Sequence, residues 1–347
     1  MLKRIICTVM CVLFLVPFNV FGAEISAEST VVIDGTTGEI LFEKNKDEQR
    51  SIASTTKILT AYIACLSGKL DDIITVTDEM VNTTGTSLGL RAGDKISVYD
   101  ATVGMMLCSG NDAANSVALY LSGSFEKFAD LMNKTASDLK MRNSYFVTPS
   151  GLDEANHHST AYDMAVLTLN ALNNKIFLEI CCEKSKIIRI NGKEQTVYNH
   201  NKLLSYIDGC VGVKTGFTEK AGRCLVSAVK KNETVLICVT LNAPNDWNDH
   251  ISLYDECFKK YESVKVENSV KINVVGGSSD YLNATYSGNV FVLNKQNISV
   301  EIYHFPFLYA PIKNGDKIGF VVIKYKEKEI SKLPLTATEN IEYYGKQ

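Results

Sequence analysis

From Ser54 to Leu66 the chain places Ile58, Leu59, Tyr62, Ile63 and Leu66 at the spacing of one helix face, and Gly68 marks the end of the segment. Lys57 falls in the first turn of this helix. A helix so apolar has to be covered, so any fold that accepts it takes a lysine towards the interior, three residues from Ser54. Residues three apart share a helix face. Burial, or a second cation nearby, lowers a lysine pKa, and a neutral amine beside a hydroxyl is a base beside a nucleophile. The pattern alone decides little. Ser-x-x-Lys occurs four times, at Ser54–Lys57, Ser124–Lys127, Ser137–Lys140 and Ser227–Lys230, and most such pairs belong to a solvated face. Only Ser54 opens an apolar helix.

The rest of the chain reads as an α+β protein. Its 347 residues suggest two domains. Val31 to Ile33 and Ile40 to Phe42 flank turn residues Asp34 to Gly38, a hairpin. Helices are expected over Asp100–Met106, Asp112–Leu121, Phe125–Leu139 and Ala161–Leu172, with a break at Cys108-Ser109-Gly110-Asn111. Strands follow over Gly209–Gly216, Arg223–Val229 and Thr234–Leu241, and Tyr254 to Tyr261 reads as a last helix. The expected core is an antiparallel sheet among helices, with its first and last strands brought together. Beyond Glu262 come short alternating runs at Val270–Val275, Val290–Leu293, Ile298–Tyr303 and Lys317–Tyr325, a small all-β domain. The division is therefore 1–23, 24–262 and 263–347.

Residues 1–23 form the leader in this division. Lys3 and Arg4 precede an apolar run from Ile5 to Phe18, and Gly22 and Ala23 supply small residues before polar sequence begins. That order is a secretory signal peptide, and the run is short of the about 20 residues a membrane-spanning helix needs. The protein is expected to be exported. Cys7 and Cys11 lie in the leader; most other cysteines sit in apolar runs and read as small packing residues. Neither paired CxxC spacing nor HExxH occurs, so no metal or other cofactor is expected. The net charge of −3 and the lack of a basic stripe argue against nucleic acid.

Two further triplets follow Ser54 in order. Ser109-Gly110-Asn111 stands in the helix break, and Lys214-Thr215-Gly216 stands on an expected strand. The set Ser-x-x-Lys, Ser-x-Asn, Lys-Thr-Gly resembles that of the penicillin-binding proteins. The neighbouring stretches Ile52–Lys57, Ser109–Asn115, Pro149–Asp153 and Gly212–Thr218, with Ala221–Leu225 and Ala243–Asn245, are similar to the serine D-Ala-D-Ala carboxypeptidases of the S11 peptidase family. The resemblance runs from about Ser29 to Tyr261 and continues more weakly through the β domain.

The resemblance implies a β-lactamase/DD-peptidase-like fold and an acyl-enzyme on Ser54. Lys57 is implied as base and Ser109 as proton relay. Asn111, Lys214, Thr215, Gly216 and Phe217 are implied in substrate binding, with the backbone N–H groups of Ser54 and Phe217 as the oxyanion hole. The implied partners are peptidoglycan stem peptides ending in D-Ala-D-Ala, with β-lactams as covalent inhibitors. Two departures stand out. Some members bind the substrate carboxylate with an Arg shortly after the Ala-Pro pair, where this chain reads Asn245-Asp246-Trp247-Asn248-Asp249-His250. Many relatives end in an amphipathic membrane helix, and the run from Glu339 to Gln347 has no such pattern. An endopeptidase, a β-lactamase and a non-catalytic wall-binding receptor remain as alternatives, although no Glu-x-x-x-Asn element lies between Asn111 and Lys214.

Overall fold

The computed structural model describes residues 24–232 and 234–344. The leader expected at residues 1–23 lies outside the described residues. In chain order the elements are β1 (Ser29–Asp34), β2 (Ile40–Lys44), α1 (Lys57–Leu66), β3 (Ile73–Thr75), α2 (Asp78–Val81), β4 (Lys95–Ser97), α3 (Val98–Leu107), α4 (Asn111–Ser122), α5 (Phe125–Asp138), α6 (Ala161–Leu172) and α7 (Lys175–Cys182). Then come β5 (Ser185–Ile190), β6 (Lys193–Tyr198), α8 (Leu203–Tyr206), β7 (Cys210–Thr218), β8 (Gly222–Lys231), β9 (Thr234–Leu241) and α9 (Asp246–Phe258). The remainder is β10 (Glu262–Val275), β11 (Tyr281–Val292), β12 (Ile298–His304), β13 (Phe307–Tyr309), β14 (Lys317–Tyr325) and β15 (Lys328–Ala337).

The main sheet has the order β2-β1-β9-β8-β7 and is antiparallel throughout. Its first and last strands do meet: β1 lies against β9 with Ser29 opposite Leu241. Successive side chains of a strand point to opposite faces, and both faces are covered here. Val31, Ile33, Val226, Ala228, Ile237 and Val239 join the core that holds α1, α3, α4 and α6. Val32, Val229, Leu236 and Cys238 join a second core with Leu253, Tyr254 and Cys257 of α9. The strand β7 is left at the edge of the sheet, with Cys181 and Cys182 of α7 against its Val211 carbonyl.

The last six strands form one sheet of order β12-β14-β15-β11-β10-β13. All its pairings are antiparallel except β10 with β13. The expected α+β catalytic part followed by a small all-β domain is the architecture found.

Several boundaries differ from expectation. Helix α9 begins at Asp246, not at Tyr254. Its first turns bury Asp246, Asp249 and His250, and these polar residues break the apolar periodicity. Each is matched: Asp249 accepts from the backbone N–H of Ser26 and Ala27 and from the Ser26 hydroxyl, and His250 bonds Ser227 and Thr240. The hairpin β5–β6 and a four-stranded sheet β3-β4-β5-β6 were not expected. Only Ile188 and Val197 of that hairpin are buried, so its sequence has no alternation to read. Strand β10 begins at Glu262 rather than Val270, because its first half is an exposed ribbon paired with β11. The strand β15 was not expected either.

Candidate active site

Ser54 sits in a single 3₁₀ turn, Ala53–Thr56, that leads into α1. The turn is tightly held. Ala53 has φ 47°, and a Cβ on Gly151 would stand 2.0 Å from the Ala53 carbonyl oxygen. Gly151 itself has φ +83°, so only glycine satisfies both demands. The Thr56 hydroxyl donates to the Ala53 carbonyl at 2.9 Å, and His157 Nε2 lies 2.9 Å from the same hydroxyl. His157 Nδ1 accepts from the N–H of Val147 at 3.0 Å, which leaves the ring proton on Nε2, facing Thr56. Burial lowers the His157 pKa to about 4, so the ring is neutral and the turn carries no added charge.

Lys57 is fully buried. Its Nζ is 2.9 Å from Ser54 Oγ, 2.7 Å from Asn111 Oδ1 and 2.6 Å from the Ser150 carbonyl oxygen. The Asn111 amide is oriented by its Nδ2, which donates to the Thr84 carbonyl at 2.6 Å. Asn111 Oδ1 and Ser150 O can only accept. A neutral amine has two N–H groups for these two acceptors, and its lone pair is then left for the one neighbour that can donate, the Ser54 hydroxyl. The electrostatics agree. Burial, and then the Lys214 ammonium, push the Lys57 pKa well below the usual lysine value, against a weaker opposing pull from Asp112.

The other two triplets converge on this pair. Ser109 has φ 62° in the break between α3 and α4, and Asn111 opens α4. Asp112 ties the preceding loop down by accepting from the N–H groups of Leu88, Gly89 and Leu90. On β7, Lys214 is buried and donates to the Thr215 carbonyl at 2.9 Å. Burial lowers its pKa to about 7. Gly216 passes so close to the Ser54 turn that a Cβ there would stand 3.0 Å from the backbone nitrogens of Ser54 and Thr55.

Ser54, Ser109, Thr215, Gly216 and Phe217 line one open cavity of about 400 Å³. Lys57, Asn111 and Lys214 are buried and are not among its lining residues. The sequence had not singled out Thr86, His200, Lys202 and Arg223 as part of this wall, nor Asp246 and Trp247. Trp247, in the stretch that lacks the expected arginine, lies under the Arg223 guanidinium, 5.8 Å from it to the ring centre. The other Ser-x-x-Lys copies lie elsewhere. Ser124 caps α5, Ser137 ends it, and Ser227 is buried against His250 and Tyr254. Cys108, next to Ser109, has its thiol pKa pushed up by burial, which disfavours the reactive thiolate. The eight cysteines among the described residues are free.

A serine turn packed against the edge strand of a helix-covered antiparallel sheet, its hydroxyl 2.9 Å from a buried lysine amine, is the arrangement of a serine hydrolase of the penicillin-binding type. The chain belongs to the D-alanyl-D-alanine carboxypeptidase family Peptidase_S11, whose profile matches residues 17–245. The profile of the penicillin-binding protein 5 C-terminal domain matches residues 258–343. Among curated relatives, the D-alanyl-D-alanine carboxypeptidase DacF of Bacillus subtilis is 30% identical, over 92% of this chain and 87% of its own length. DacC of Escherichia coli is 33% identical, over 96% of this chain and 90% of its own. The crystal structure of the carboxypeptidase DacD from Francisella tularensis superimposes with a TM-score of 0.66 at 28% identity, covering 92% of this chain and 95% of that one.

Proposed function

We propose that this protein is an exported serine D-alanyl-D-alanine carboxypeptidase that removes the terminal D-Ala from peptidoglycan stem peptides through an acyl-enzyme on Ser54. The observation that carries the reading is the 2.9 Å approach of a buried lysine amine to Ser54 Oγ, with both remaining neighbours of that amine obligate acceptors. Neutral Lys57 takes the hydroxyl proton as Ser54 Oγ attacks the carbonyl between the two D-Ala residues. The backbone N–H groups of Ser54 and Phe217 hold the oxyanion, and the Gly216 approach to Ser54 N supports that pairing. Loss of one such donor typically costs about 3 kcal/mol.

Collapse of the tetrahedral intermediate breaks the C–N bond. The proton held by Lys57 passes through Ser109 to the leaving amine, and free D-Ala departs. Water then attacks the ester, with Lys57 again taking the proton, and Ser54 is regenerated. Asn111 orients Lys57 and binds the substrate amide. Lys214 supplies positive charge behind the cavity, and Thr215 offers its hydroxyl to the terminal carboxylate. The same Ser54 ester forms with a β-lactam. In this reading residues 1–23 are a cleaved leader, 24–262 the catalytic domain and 263–347 the β-rich domain.

The test is release of free D-Ala from a peptide ending in Lys-D-Ala-D-Ala, by protein beginning at Glu24, beside Ser54→Ala. Release by the wild type alone establishes the reaction and its nucleophile. No release, with cleavage of cross-linked dimers, assigns an endopeptidase instead. Penicillin turnover faster than about one per second assigns a β-lactamase. Penicillin labelling with no peptide cleavage assigns a receptor.

A further inference from the structure

A carboxypeptidase has to find a chain end. The group that marks it here is a carboxylate one residue beyond the attacked carbonyl, so the cavity that holds Ser54 needs a fixed cation. Lys214 is 1% exposed and is not part of the cavity wall. Three other basic residues are: His200, Lys202 and Arg223. His200 has its pKa lowered by burial and by Lys214, both of which disfavour its charged form. Lys202 is exposed, a hydrated point charge on a flexible stem.

Arg223 is different. On β8 it stands opposite Phe217 of β7, two residues from Leu225, which stands opposite Thr215. Cross-strand partners share a face and so do residues two apart, so Arg223, Phe217 and Thr215 lie on one face. The diagonal from Arg223 to Thr215 is about 7–8 Å between backbones, within reach of a long side chain. The guanidinium is held from behind. Its Nε donates to Asp246 Oδ1 at 3.0 Å and its Nη2 lies 2.8 Å from the same oxygen, while its Cζ lies over the Trp247 ring, 5.8 Å from the ring centre, within cation–π range. Asp246 is 2% exposed and is fixed in turn at the start of α9, accepting from the Trp247 N–H at 2.9 Å. Both contacts use Nε and Nη2, and Nη1 takes no part in them. The side chain is still 43% exposed.

We infer that Arg223, clamped by Asp246 and Trp247, is the residue that binds the terminal carboxylate of the substrate, with the Thr215 hydroxyl as its partner. The inference rests on the carboxypeptidase reading and names its specificity determinant. It also accounts for a chain that has no arginine after its Ala-Pro pair: the α9 residues at that place support an arginine from the neighbouring strand. A planar fork already anchored on one edge presents its remaining donors without first losing side-chain freedom.

The test compares two peptides, one ending in Lys-D-Ala-D-Ala as the free acid and the same peptide with a C-terminal amide. Wild type, Arg223→Gln, Arg223→Lys and Asp246→Asn are assayed for kcat/KM on each, with melting curves to establish folding. Arg223→Gln is expected to lose about 100-fold on the acid, within the range of a charge-assisted pair, and to treat the amide as wild type does. Arg223→Lys recovers part of the loss. Asp246→Asn, a change at a positioning residue, raises KM for the acid with kcat near wild type. If Arg223→Gln keeps the wild-type preference for the acid, or loses equally on both peptides while folded, Arg223 does not read the carboxylate. If the wild type cleaves neither peptide, it is the carboxypeptidase reading that fails.

Discussion

The carbonyl oxygen of Ser150 lies 2.6 Å from Lys57 Nζ and is fixed by the backbone of the loop that Gly151 packs onto Ala53. The lysine is therefore positioned by a group that no side-chain substitution removes, and its distance from Ser54 is a property of the fold. Changes at the amine itself act on the chemistry more than on the architecture.

Lys57→Met is expected to lower kcat/KM for D-Ala release by about 10²–10⁴-fold, the usual worth of a general base. Acylation by penicillin slows in parallel, and Ser54→Ala gives no covalent adduct at all. Intact-mass spectrometry over time reads both. A Lys57→Met protein that acylates at the wild-type rate removes the lysine from its assigned role.

Asn111→Asp replaces an acceptor by an anion at 2.7 Å from Lys57 Nζ. An adjacent carboxylate favours the ammonium form, by roughly one to three pH units. Lys57 has to be neutral to accept a proton, so the acid limb of the kcat/KM profile moves to higher pH. Asn111→Ala removes the same contact without adding charge and lowers the rate without that displacement. Coincident profiles for the two variants would contradict this account.

Gly216→Ala places a methyl group 3.0 Å from the backbone nitrogens of Ser54 and Thr55, and backbone cannot step aside cheaply. The edge strand has to retreat from the nucleophile turn, widening the oxyanion hole. A loss of about 100-fold or more in acylation rate is expected, comparable to removing one donor, with a melting temperature close to that of the wild type. Retention of the wild-type acylation rate would show that the two backbones do not cooperate.

His250 contributes to the loss of stability in acid. It is fully buried between Ser227 and Thr240, and burial lowers its pKa from 6.5 to about 3. The unfolded chain takes up a proton there between about pH 6.5 and 3 while the folded chain does not. Stability is thus full above 6.5 and is lost as the pH falls through that window. His250→Gln keeps hydrogen-bonding capacity and lacks the proton. Its Tm is expected to start lower at pH 7 and to fall less on acidification to pH 4. Parallel Tm curves would rule out His250 as the titrating group.

The groups proposed to react were legible in the sequence because they come as short motifs with fixed local geometry. Ser54 and Lys57 share one turn, Ser109 and Asn111 straddle one helix break, and Lys214 to Gly216 run along one strand. Arg223 was not legible in this way. Its partners Asp246 and Trp247 lie more than one element away, and their pairing depends on how α9 packs on β8, which no local pattern encodes. The start of α9 was hidden for the same reason: its buried polar residues are matched by the distant Ser26, Ser227 and Thr240. Strands with one buried residue, such as β6, leave no period to detect.

The place of β1 in the sheet has a consequence for how the protein is made. Ser29, among the first described residues to leave the ribosome, finds its central partner only when Leu241 has been synthesised. Until then β1 has β2 alone, and an isolated two-stranded hairpin is marginal in water. Contacts this distant in sequence slow folding, because a long loop must close before they form. The main sheet therefore cannot close around β1 until the chain has been made as far as β9.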